Sequence, residues 1–205
     1  MDRDTVWQHI RQQRLEMAEL FETIDARGPE IWDTPSLCAG WTVRNVAAHL
    51  THSTLSMPRM ALEAVRSGFR FNALVDRLAK SDLRPPAELA ANLREKAGSR
   101  RHPPGTTEME PLIDVLVHGQ DICVPLGIER PMPTDAAVAA AQRVWGMGFP
   151  FRARKRLAGV RLVATDADFA VGEGRTVSAP IGDLLLMLTG RETATTPSPN
   201  RDSRS

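Results

Sequence analysis

The chain has 205 residues, 42% of them apolar and 25% charged, with 26 basic against 25 acidic side chains and a formal net charge of +1. This is the composition of an ordinary globular protein with enough apolar residues for a sizeable core. It excludes the charge excess of a nucleic-acid or acidic-membrane binder, and no run of about 18 apolar residues offers a membrane span.

Val6, Ile10, Leu15, Ala18, Phe21 and Ile24 recur at near-helical spacing and predict a long amphipathic helix over 4–27, ended by Gly28-Pro29. The same segment has no apolar signal core, so a cytoplasmic protein is expected. The two cysteines, Cys38 and Cys123, lie far apart and are expected to be free thiols of a reducing compartment. An irregular connection leads to Thr42, which reads as the N-cap of a second helix through about Ser56. A third helical stretch is expected over about 58–80, with a break near Gly68. A fourth is expected over about 86–98, opening with Pro85-Pro86. Residues 98–110 read as a loop, 111–125 as a fifth helix, and the stretch after Thr134, taken as its cap, as a sixth.

After Phe149 the pattern changes to two or three short strands, with Gly172-Glu173-Gly174 as a hairpin turn, and a closing helix that ends at Gly190. The expected organisation is a helix bundle over 1–148, a small αβ appendage over 149–191, and a disordered tail over 192–205.

Chemistry concentrates in two of the predicted helices. Asp114 and His118 are four residues apart, so they share one helix face one turn apart. Side chains at this spacing can converge on one metal ion, with His49 as a third ligand from another helix. Two neutral imidazoles and one carboxylate would leave a divalent ion with open positions, as a catalytic site requires. The residues also allow a simpler reading, an Asp114–His118 hydrogen bond on a helix surface and a core imidazole at His49. His52 reads as an alternative ligand or a solvated residue, and His9 and His102 as surface residues.

Three segments resemble one family. "PSLCAGWTVRNVAAHL" is similar to the N-terminal signature of the mycothiol-dependent maleylpyruvate isomerase family. "DVLVHGQDICVPLG" resembles its second signature, an acidic residue four before a His-Gly; "GVRLVATDADFAVGEG" and "DLLLMLTGR" resemble its C-terminal segment. They occur in the family's order. The resemblance implies a mainly α protein, a DinB-like four-helix bundle with a small C-terminal αβ part. It implies a divalent metal, usually zinc, held by His49, Asp114 and His118. Some members have Glu where this chain has Asp114, whose shorter arm requires a closer helix or leaves a looser site.

The resemblance further implies mycothiol as a thiol cofactor, with a small electrophile as substrate. The metal would hold the thiol as thiolate, which adds to an activated double bond or displaces a leaving group. It also implies that Arg191 binds a substrate carboxylate, the alternative being a solvated arginine at a helix end. Asp121 reads as an acceptor that orients an imidazole, or as a surface carboxylate. Neither cysteine is required. The expected function is a metal-dependent, mycothiol-using isomerase or transferase. The alternatives are a non-catalytic metal-binding or stress-response bundle, and a metal-assisted hydrolase.

Overall fold

A computed structural model describes residues 1–52, 71–102 and 105–192, and they form two compact units, Met1–Arg130 and Pro131–Ser205. The expected division at 148 followed a change in composition. The actual division comes earlier, because the helix after Pro133 packs within the second unit.

In the first unit, α1 (Arg3–Asp25) starts where Asp2 caps it, the Oδ1 atom accepting from the Thr5 amide at 3.0 Å. Its buried stripe of Val6, Ile10, Met17, Phe21 and Ile24 follows helical spacing, but Gln13 and Arg14 are buried on it as well. Gly28, at φ 117°, ends this segment in a conformation that side chains disfavour. A single 3₁₀ turn, Pro29–Asp33, then carries Trp32 into the core, where its indole donates to Asp25 at 2.8 Å and meets Phe21 edge-on.

Helix α2 (Val43–His52) begins with a reciprocal cap. Thr42 Oγ1 accepts from the Asn45 amide and Asn45 Oδ1 accepts from the Thr42 amide. The expected cap at Thr42 is therefore present; residues 53–56 lie outside the described residues. Of the third predicted helix, 58–70 also lies outside, and the described part is α3 (Phe71–Ser81). Helices α4 (Pro86–Lys96) and α5 (Met109–Cys123) complete the unit. α1 packs on α4, α4 on α2, α2 on α5 and α5 on α1, a closed ring of four helices, while α3 lies against α2. α5 is buried almost all round, and Asp114 is half-buried among fully buried neighbours.

The second unit holds α6 (Thr134–Gly146), a short α7 (Ala153–Arg156), strands β1 (Val160–Ala164), β2 (Ala170–Gly172) and β3 (Arg175–Ala179), and α8 (Ile181–Leu188). Thr134 is the first helical residue of α6 and not its cap, which is Pro133. Four buried alanines, Ala136, Ala137, Ala140 and Ala141, let α8 pack closely on α6.

The sheet order is β2-β1-β3, with β1–β2 antiparallel and β1–β3 parallel. Gly172-Glu173-Gly174 is therefore not a hairpin turn. It carries the chain across the end of β1, so close that a Cβ on Gly172 would lie 2.2 Å from the Val160 carbonyl oxygen and one on Gly174 2.3 Å from that of Gly159. Glycine is needed there for backbone passage, and a hairpin-like sequence results. Among the described residues no helix is long and apolar enough to cross a membrane.

Candidate metal centre

The ring of helices brings α2 against α5, and with it three of the residues read from sequence. One donor atom each from His49, Asp114 and His118 lies within 4.8 Å of the others. Tetrahedral ligands about 2.1 Å from a zinc ion sit roughly 3.4 Å apart. Side-chain adjustment of about 1.4 Å at most would bring the three onto one ion. The alternative of a simple Asp114–His118 surface bond does not describe this arrangement, since His118 is nine-tenths buried and its ring centroid lies 4.8 Å from that of His49.

Asp121 is fully buried, and its Oδ2 lies 2.7 Å from His118 Nδ1. The carboxylate accepts the Nδ1 proton, which fixes the tautomer and leaves the Nε2 lone pair as the donor. The backbone carbonyl of Asp121 in turn accepts from the Leu37 amide, tying the loop before α2 to the end of α5. Of the two sequence readings for Asp121, the orienting acceptor is the one the geometry fits.

The indole of Trp41 stands beside both imidazoles. Its centroid lies 5.2 Å from that of His49 at 62° and 6.2 Å from that of His118 at 20°. Nothing local in the sequence signals this contact, because Trp41 precedes the helix that it flanks. Arg14 was also missed: a cation on the apolar stripe of an amphipathic helix reads as an error in the period. Its Nη1 donates to the carbonyl oxygens of Lys96, Ala97 and Ser99 at the end of α4. Burial pulls its pKa down, and the charge of Asp114 pulls it back up. The two side chains line one cavity of about 10 Å³ with Leu50, Pro111 and Val115.

His52 is not solvated. It is buried, with Nε2 2.9 Å from Asp82 Oδ2, and Asp82 also accepts from Arg84 Nε and Nη2. Arg84 Nη2 donates to Thr51 Oγ1 at 2.6 Å. Burial works against the charged form of Asp82, but hydrogen bonds from Arg84 and His52 outweigh it and hold the carboxyl well below its ordinary range. Its ring meets that of His49 edge-on at 6.4 Å, and the donors brought together with Asp114 and His118 are those of His49. His9 and His102 are half-buried, and His102 stacks on Trp7.

Arg191 belongs to the second unit. Its amide donates to the Leu186 carbonyl and its Nη1 to that of Thr189, at the end of α8. Cys38 is half-buried and Cys123 fully buried, and neither is in a disulfide; burial pushes the Cys123 thiol up to about 11 against the opposing charge of Arg130.

Residues 11–108 match the family model of the mycothiol maleylpyruvate isomerase N-terminal domain. Among solved structures, the crystal structure of a histidine-to-alanine mutant of the mycothiol-dependent maleylpyruvate isomerase is similar, with a TM-score of 0.52 over 89% of this chain and 90% of that one. Identity is 14%, so the likeness is one of fold. No protein of curated function matches the chain.

Proposed function

Residues 11–108 belong to the mycothiol maleylpyruvate isomerase N-terminal domain family, and from that premise we propose that the chain is a metal-dependent, mycothiol-using isomerase or transferase acting on a small electrophile. The convergence of His49, Asp114 and His118 carries this reading. The donor set fits a divalent ion: two neutral imidazoles and one carboxylate leave it a net charge near +1, and the mixed N and O donors suit zinc. An ion bound there supplies a Lewis-acidic position at which a thiol is held as thiolate near neutral pH.

The protein's own groups divide the remaining work. His49 and His118 donate from different helices, which makes the site dependent on the folded bundle. Asp121 keeps the Nδ1 proton of His118 and thereby directs Nε2 to the ion. Asp114 contributes the negative charge. Mycothiol held there would supply a nucleophilic sulfur, able to add reversibly to a conjugated double bond in an isomerase or to displace a leaving group in a transferase.

Elemental analysis of purified protein should find about one divalent ion per chain. Cobalt-loaded protein should develop a sulfur-to-metal absorption band when mycothiol is added, and His49→Ala protein should not. An apo protein that takes up no zinc would overturn the metal reading. A cobalt protein that binds no thiol at millimolar concentration would overturn the thiol reading and leave a metal-binding bundle.

A further inference from the structure

The three rings around the centre form a closed cluster. His49 and His118 lie 4.8 Å apart at 81°, and the Trp41 indole closes the triangle at 5.2 Å and 6.2 Å. Trp41 is 8% exposed. Its backbone is fixed by the loop: the amide donates to the Cys38 carbonyl, and its own carbonyl accepts from the amide and hydroxyl of Ser36. Its side chain is fixed from outside the loop, since Nε1 donates to Asp76 Oδ1 on α3 at 2.9 Å. Asp76 also pairs with Lys80 one turn on, at 2.7 Å. Hydrogen bonds from Lys80 first and Trp41 second hold the Asp76 carboxyl below its ordinary value, so it stays a charged acceptor for the indole.

An imidazole turning about its Cβ–Cγ bond sweeps its edge through the space beside it. Here the indole occupies that space for both histidines, nearly parallel to one ring and edge-on to the other. An aromatic pair adds about 0.5–1.5 kcal/mol beyond area burial, and the indole makes two such contacts. We propose that Trp41, held by Asp76, is a positioning residue that sets the ring orientations of His49 and His118 for metal binding. The inference rests on the metal reading above, but ring order in the apo protein tests it separately.

The test compares wild type, Trp41→Phe, Trp41→Leu and Asp76→Ala, each first checked for helical content. In the apo proteins, nuclear Overhauser effects between the ring protons of His49 and His118 report their mutual order. In the cobalt-loaded proteins, the visible d–d bands report the ligand geometry. Trp41→Leu is expected to lose the cross-ring effects, shift the bands and bind cobalt about 10-fold more weakly, as loss of a supporting contact does at metal sites. Trp41→Phe restores an aromatic face and is expected to recover most of both signals. Folded Trp41→Leu protein with wild-type ring effects, bands and affinity would overturn the proposal. Should Trp41→Leu fail to fold, Asp76→Ala decides, because it keeps the indole and removes only its half-exposed anchor. Weakened ring effects and shifted bands support the proposal, and unchanged ones overturn it. A wild type that binds no cobalt overturns the metal reading, and the apo ring effects then decide on positioning alone.

Discussion

Replacing His52 by alanine separates two histidines that lie three residues apart on one helix. The His52 side chain is 7% exposed and its Nε2 lies 2.9 Å from Asp82. A hydrogen bond to a charged group contributes about 1.5–3 kcal/mol, and truncating a buried ring adds lost packing. An orphaned buried charge would raise the loss further, but Asp82 keeps both its Arg84 side-chain contacts and the Arg84 amide. The expected destabilisation of the first unit is therefore about 2–3 kcal/mol, or a fall of roughly 5–10 °C in its melting temperature. The donor set of His49, Asp114 and His118 is untouched, so metal affinity should stay within about threefold of wild type. His49→Ala should do the reverse, with metal binding lost and stability near that of wild type. Circular dichroism melts and cobalt titrations measure both quantities on the same samples. A His52→Ala protein that melts like wild type yet binds no metal would refute the reasoning and move the ligand assignment by one helical turn.

Asp121→Asn removes the charged acceptor of the His118 Nδ1 proton, and metal affinity should fall about 10–100-fold by competition with a chelator; an unchanged affinity would count against the tautomer assigned here. Asp82 has a depressed folded pKa, so its contribution to stability is present above its unfolded value of about 3.9 and is lost as the pH falls toward the folded one. Urea denaturation should show wild type losing stability below about pH 4 more steeply than Asp82→Asn, which starts less stable at pH 7. Gly174→Ala forces a Cβ to 2.3 Å from a carbonyl oxygen at φ 105° and should destabilise the second unit by about 2–4 kcal/mol in thermal melts. Thiol titration at pH 8 should find Cys38 reactive in the native protein, and Cys123, raised to about 11 by burial, reactive only after unfolding.

What was legible in the sequence is what depends on local spacing. The apolar stripe of α1, the Thr42 start of α2 and the Asp114–His118 pair all follow from a period of 3.6 residues and from cap chemistry. The residues offered His49 as a possible third ligand beside a core imidazole, and the family resemblance singled it out, because nothing in the spacing says which helices become neighbours. The partner of His52 lies 30 residues away on the far side of α3, so a solvated histidine and a buried, hydrogen-bonded one look alike in the chain. Gly172-Glu173-Gly174 misled for a related reason: glycine supplies positive φ to a hairpin and clearance to a crossover equally well. The earlier unit boundary was hidden because α6, rich in alanine, has the same texture as a bundle helix.

Arg14 bears on the order in which the protein and its ion come together. Zinc-finger domains collapse without metal because their ligands have no other source of cohesion. Here the carboxylate assigned to the ion already has a resident countercharge. The guanidinium is anchored on three carbonyl oxygens at the end of α4 and acts electrostatically on Asp114. The ring of helices also closes over an apolar core that needs no ligand to cohere. On the metal reading, folding and metallation are therefore separable events. The bundle would assemble as apoprotein, wait in a receptive state and take up its ion without unravelling.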